Sequence, residues 1–116
     1  MKTIIFLFLF SFSTISSVQA LTGQKWLSFC EDEINDFKFG VCNGYLMGVS
    51  GHHKLIMGID AVKVTMCLPE KVTATQLVAV SKKWLKEHPE KLHQDFSVSY
   101  LSIMKEAFPC NKQDKK

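Results

Sequence analysis

The segment that decides the fold is residues 73–90, which read TATQLVAVSKKWLKEHPE. Thr73 and Gln76 have the spacing of a capping box, in which each side chain binds the other residue's free backbone N–H group. The residues that follow at intervals of three and four fall on one face of a helix; they are Leu77, Val80, Ser81 and Trp84. Pro89 disfavours helical geometry in the residue before it, so this helix should end near Glu87.

Three further helices are predicted around this segment by the same spacing rule. Residues 22–33 form the first helix, with Trp26, Phe29 and Cys30 on one face. Residues 36–57 form the second, and its stripe comprises Cys42, Tyr45, Val49, His53 and Ile56. The fourth begins near Asp95, a good capping residue, and its buried stripe comprises Phe96, Tyr100, Ile103, Met104 and Ala107. Only residues 61–66 alternate like a short strand, within a loop over residues 58–71. The sequence therefore predicts an all-α fold, a single domain of four main helices.

The second predicted helix carries a row of glycines. Gly40, Gly44 and Gly48 are spaced four residues apart. Because each glycine costs a helix interior about 1 kcal/mol, the row predicts that another backbone approaches closely there. We expect this packing inside the domain. The alternatives are a contact between subunits and a segment that is partly a loop.

Residues 1–20 have the organisation of a signal peptide. Lys2 supplies the positive start, residues 4–12 form an apolar stretch of nine residues, and Val18 and Ala20 are small. A membrane anchor is the alternative, but a spanning helix needs roughly 20 apolar residues. We predict cleavage after Ala20, which leaves residues 21–116 as one helical domain of 96 residues with no membrane-spanning segment.

All four cysteines follow this cleavage site. An even number in a short exported chain indicates two disulfides; the alternative is a thiol nucleophile paired with a histidine. Cys30 and Cys42 flank the short turn between the first two helices, while Cys67 precedes the third helix and Cys110 follows the fourth. The start of one helix lies beside the end of the next in an antiparallel pair. We therefore predict a Cys30–Cys42 and a Cys67–Cys110 disulfide.

Charge and motifs argue against several classes of function. Thirteen lysines, no arginine and 11 acids after the cleavage site give a net charge of only +2, whereas nucleic-acid binding favours a strong basic patch. His52 and His53 point about 100° apart on a helix, and no three or four metal ligands converge at a recognised spacing. The sequence has no phosphate-binding loop and no serine-nucleophile motif. We predict a binding protein with no catalytic residue, metal or cofactor.

Four short motifs add a family resemblance. Residues 42–48 read CNGYLMG, residues 67–77 read CLPEKVTATQL, residues 84–93 read WLKEHPEKLH, and residues 107–110 read AFPC. In this order they resemble the amidase immunity proteins of type VI secretion, the Tai or Rap type. One departure is the pair Ser97 and Ser99, which stand where that family usually has small apolar residues.

This resemblance implies a fold, a compartment and a partner. Family members are exported to the periplasm, all-helical and commonly homodimeric. They bind a peptidoglycan amidase effector that has a cysteine nucleophile, and they block its active-site groove. A small periplasmic helical chaperone or stress protein, which would expose apolar surface at low pH, is the alternative function.

The resemblance also selects the connection between the third and fourth helices, since in the family a loop reaches into the effector's active site. Pro89 stiffens this connection and so lowers the entropy lost on binding. The partner-binding residues implied are Glu87, His88, Pro89, Glu90, Lys91 and His93. The alternative is an ordinary helix connection in which the histidines merely fix the turn.

Overall fold

The computed structural model describes residues 20–58 and 66–110, and these ranges contain four α-helices. They are α1 (Gly23–Glu31), α2 (Asp36–Met57), α3 (Ala74–Glu87) and α4 (Phe96–Ala107), with a short 3-10 helix at Pro89–Lys91. The described residues contain no strand, only an isolated bridge between Thr22 and Asp95. The predicted all-α fold is confirmed. The predicted signal peptide (apart from residue 20) and residues 61–65 of the strand-like stretch lie outside the described residues.

The helix starts follow the capping chemistry of the sequence. The Thr73–Gln76 capping box is complete: Gln76 N donates to Thr73 Oγ1 at 3.2 Å, and Thr73 N donates to Gln76 Oε1 at 2.8 Å. The predicted bounds of α2 are confirmed at both ends, with Asn35 as its N-cap. This cap requires extended backbone at Asn35, so the helical geometry of α1 has to end before that residue. That helix ends at Glu31, two residues before its predicted end.

The start of α4 differs from the expectation in one detail. Asp95 occupies the N-cap position, but its side chain makes no capping hydrogen bond. The backbone of the residues just before α1 satisfies one of the free N–H groups at the start of α4, since Phe96 N donates to Leu21 O at 2.8 Å. The segment just before α1 is therefore joined to the first residue of α4.

The core is centred on Trp26, which is fully buried. Its ring stacks on Phe96 with ring centroids 4.1 Å apart, and its Nε1 donates to Cys42 O at 3.0 Å. The predicted faces of α1, α3 and α4 supply most of the remaining core, which comprises Cys30, Leu77, Trp84, Leu85, Tyr100, Ile103 and Met104, together with Cys42, Leu46 and Met66.

The predicted stripe of α2 faces the core, but its residues are not equally buried. Cys42 is fully buried, as is Leu46, which was not predicted, while Tyr45 and Val49 are half-buried and pack against the core. One residue of the predicted core is wrong. Ala107 is exposed, since α4 ends there and the chain turns to bring Cys110 to Cys67.

Both predicted disulfides are confirmed. Cys30 pairs with Cys42 and Cys67 pairs with Cys110, each with a Cα–Cα distance of 5.0 Å. Cys67 N also donates to Phe108 O at 2.9 Å, which holds the approach to α3 against the end of α4. Because no cysteine is free, the alternative of a thiol nucleophile is wrong.

The glycine row of α2 does not pack inside the domain. Within the described residues, no atom lies within 4 Å of the position that a Cβ would take at Gly40, Gly44 or Gly48. The expectation of internal packing was therefore wrong for this part of the chain. The row lies on the face of α2 opposite Cys42 and Leu46, because a rotation of 100° per residue separates the two sets.

Candidate functional site

The connection between α3 and α4, residues 87–94, is closed by its own backbone. Lys91 N donates to His88 O at 2.9 Å, and Leu92 N donates to Pro89 O at 3.3 Å. Gln94 N donates to Lys91 O at 3.0 Å. Proline fixes φ at the first position of the 3-10 helix, so this connection, hereafter the 87–94 loop, is ordered from within.

His88 anchors the base of the 87–94 loop on α3. Its ring stacks on Trp84 with centroids 4.0 Å apart, and its Nδ1 donates to Trp84 O at 2.8 Å. Trp84 Nε1 in turn donates to Glu106 Oε2 at 2.8 Å. The loop base is thus joined to α3 and, through Trp84, to α4.

The other side of the loop is joined to the start of α1. Gly23 N donates to Gln94 O at 2.8 Å, and Gln24 N donates to Leu92 O at 2.9 Å. These N–H groups belong to the first turn of a helix and have no partner within it. Glycine suits position 23, because a Cβ there would lie 2.9 Å from Leu85 Cδ2 and the Leu85 side chain would have to shift to admit it.

All six partner-binding residues implied by the resemblance lie on this one loop, but they are not equally accessible. Glu87, Pro89, Glu90 and His93 are exposed, while His88 and Lys91 are half-buried. The partner role of each remains a prediction. His88 already has a structural role in the loop base.

Several supports of the loop were missed at the sequence level. The Trp84–His88 contact had a readable signal, since residues four apart on a helix are neighbours. The hydrogen bond from Trp84 to Glu106 and the one from Gly23 to Gln94 had no readable signal, because each joins segments that are far apart in the sequence.

Among the ion pairs of the described residues, only one involves a residue of the loop, Glu87. A hydrogen bond from Lys86, 2.7 Å away, lowers the pKa of Glu31, and a hydrogen bond from Lys38, also at 2.7 Å, lowers the pKa of Asp32. Glu87 lies 3.9 Å from Lys83. Glu90 makes no ion pair with any described residue, so its carboxylate is available to a partner.

No metal-binding group of three or more histidine, cysteine, aspartate or glutamate residues occurs in residues 20–58 and 66–110. None of the helices in those ranges has the length and apolar content needed to cross a bilayer. The geometry offers a connection that backbone hydrogen bonds hold in place, with exposed polar residues, on a disulfide-bonded helical scaffold.

The chain matches the Rap1a immunity proteins over residues 22–110 and belongs to that family. Neither the comparison with curated proteins nor that with solved structures found a match. Membership indicates an immunity protein against a secretion-system effector. The resemblance stated from the four motifs is confirmed at this level.

Proposed function

We propose that the protein is an exported immunity protein that inhibits a peptidoglycan amidase effector of type VI secretion. The 87–94 loop enters the active-site groove of the enzyme and blocks it. The observation that carries this proposal is the loop itself: its polar residues are mostly exposed, and it is held by hydrogen bonds to α1 and by His88 to α3.

Rigidity matters because a groove that accepts a peptide must be filled at low entropic cost. A segment already fixed in its bound shape loses less conformational freedom on binding. Glu87, Glu90 and His93 then present fixed polar groups to the groove. His88 and Pro89 hold the loop's shape, and the backbone N–H of Lys91 donates to His88 O.

We further propose that residues 1–20 are removed on export and that the mature protein works in the periplasm. Both disulfides fit this compartment, because disulfides persist in oxidising surroundings. The protein is proposed to have no catalytic activity and to form a homodimer, as the family resemblance implies.

The test uses protein purified from the periplasm of an expressing strain and, as the candidate effector, an amidase encoded by an adjacent gene. We expect inhibition of peptidoglycan hydrolysis to be complete at a one-to-one ratio of chains. The intact mass should correspond to residues 21–116. Full amidase activity in the presence of excess protein would contradict the proposed function, and an uncleaved mass would contradict the proposed processing.

A chaperone function is the second candidate, and one observation favours it. Phe37, Met47 and Leu55 of α2 are 75%, 50% and 71% exposed, and exposed apolar surface is what a chaperone uses to hold unfolded chains. The discriminating measurement is light scattering of an unrelated aggregating protein at acidic pH. Suppression of aggregation together with no effect on the amidase would favour the chaperone.

A further inference from the structure

His88 is the residue at which the chain leaves α3 and enters the 87–94 loop. Its backbone dihedral angles, φ −124° and ψ 65°, are not helical, and its carbonyl oxygen accepts from Lys91 N at 2.9 Å. The residue therefore belongs both to the end of α3 and to the 3-10 helix at Pro89–Lys91. Whatever holds the His88 side chain also helps to hold the loop.

The hydrogen bond between His88 and Trp84 determines which ring nitrogen carries the proton. Trp84 O lies 2.8 Å from His88 Nδ1, and a carbonyl oxygen can only accept a hydrogen bond. Nδ1 therefore carries the hydrogen, and Nε2 of the neutral ring has a free lone pair. Nε2 makes no hydrogen bond with any described residue, and it is not enclosed as Nε2 of His53 is. The neutral ring thus offers one accessible acceptor at the base of the loop.

The Trp84 ring is held both at its face and at its edge. Its face stacks on the His88 ring with centroids 4.0 Å apart and an angle of 17° between the planes. Its edge donates from Nε1 to Glu106 Oε2 at 2.8 Å. An indole has only this one donor, and hydrogen bonds to a carboxylate are among the stronger ones. The position of the Glu106 carboxylate therefore fixes how the indole is turned.

Nothing among the described residues competes with Trp84 for Glu106. This carboxylate lies in the last turn of α4 and makes no ion pair with any residue of the described ranges. Three side chains in sequence, Glu106, Trp84 and His88, thus connect α4 with the loop. Their hydrogen bonds and ring stack together give the free nitrogen of His88 a defined direction.

We propose that Glu106 is a positioning residue of the inhibitory surface, and that His88 Nε2 accepts a hydrogen bond from an N–H or O–H group in the effector's groove. Glu106 itself does not touch the effector; it acts through Trp84 and His88. The inference rests on the proposed function and deepens it, because it names the atom that makes a contact and the chemistry of the group it meets.

The first test needs no effector. Nitrogen-15 NMR of the His88 ring in the free protein at neutral pH should show a protonated Nδ1 and an unprotonated Nε2. E106A removes the acceptor of the Trp84 indole, so the His88 ring should then populate both tautomers. E106Q keeps an acceptor oxygen and should preserve the pattern. K105A changes the neighbouring exposed residue of α4, and as the matched control it should leave the pattern unchanged.

The second test measures binding to the proposed amidase effector. In H88N the amide nitrogen takes the place of Nδ1 and can keep the hydrogen bond to Trp84 O, but no atom remains at the position of Nε2. We expect its affinity to fall about three- to tenfold, which corresponds to the loss of one hydrogen bond. E106A should show a loss of the same order, because Nε2 then has no fixed direction. E106Q and K105A should bind within about twofold of the unmodified chain.

The results separate this inference from the proposed function. A His88 ring with an unprotonated Nδ1, or a tautomer pattern that E106A leaves unchanged, overturns the inference whatever the amidase does. Unchanged affinity of folded H88N also overturns it, while inhibition by the unmodified chain would leave the proposed function standing. An amidase that the unmodified chain does not bind contradicts the proposed function and the contact at Nε2 together, and the NMR result then still decides the role of Glu106.

Discussion

The helices α1 and α2 differ in how much of their surface is buried. The nine residues of α1 bury Gly23, Trp26 and Cys30, and its first turn is joined to the 87–94 loop by two backbone hydrogen bonds. The 22 residues of α2 bury only Cys42 and Leu46. The short helix is thus fixed almost entirely by contacts outside itself, whereas the long helix leaves most of its apolar surface unused within the described residues.

This difference separates two kinds of surface. The 87–94 loop, joined to the start of α1, is held in place and presents polar groups, which suits the inhibitory surface proposed above. The outer face of α2, which lies opposite Cys42 and Leu46, carries exposed apolar side chains and the glycine row. We expect changes in stability to be largest at Trp26 and smallest at Ser99, when each variant is measured at a protein concentration where the chain is monomeric.

The largest effect is expected at Trp26. W26A removes a fully buried ring that stacks on Phe96 and donates to Cys42 O. Truncating a buried aromatic residue lowers the free energy of unfolding by about 3–5 kcal/mol. L55A on the outer face of α2 should change it by no more than about 0.5 kcal/mol. Urea denaturation with the disulfides intact measures both, and similar losses in the two variants would show that the comparison is wrong.

Glycine substitutions should have opposite signs on the two helices. G23A forces a Cβ to within 2.9 Å of Leu85 Cδ2, and because Leu85 is fully buried, we expect a loss of about 1–3 kcal/mol. G40A meets no described atom and gains helix propensity, so a stabilisation of about 0.5–1 kcal/mol should follow. Thermal unfolding followed by circular dichroism reports both. Stabilisation by G23A would argue against the tight junction of α1 with the loop.

A smaller effect is expected at Ser99, on the buried face of α4. Its hydroxyl is buried and has no hydrogen-bond partner among the described residues. S99A removes that unsatisfied group and should stabilise the fold by about 1 kcal/mol. S102A makes the same change at an exposed site of the same helix and isolates the gain in helix propensity. Equal gains in the two variants would mean that the buried hydroxyl has no cost.

Local chemistry accounts for what the sequence predicted well. The capping box at Thr73, the limits of α2 and the Cys30–Cys42 disulfide follow from residue types and short spacings. The Cys67–Cys110 disulfide follows from the antiparallel arrangement expected of α3 and α4. The 87–94 loop was also located in advance, because Pro89 and the end of α3 are local signals.

The remaining features depend on contacts between distant segments. The row of glycines in α2 was visible in the sequence, but spacing alone does not say what packs against it, and the expected internal partner is not there. Similarly, the hydrogen bonds from Gly23 and Gln24 to the loop join segments about 70 residues apart. No periodicity or motif in either segment predicts that junction.

The most direct test compares variants of the 87–94 loop and of the outer face of α2 in one measurement of binding to the proposed amidase effector. The variant E87A/E90A/H93A removes exposed loop side chains without touching the contacts of His88 with Trp84. Since a few interface residues carry most of the binding energy, we predict that its affinity falls by about tenfold or more. The G44L/G48L variant should bind the amidase as tightly as the unmodified chain does. Unchanged affinity of the folded loop variant would contradict the assignment of the 87–94 loop as the inhibitory surface.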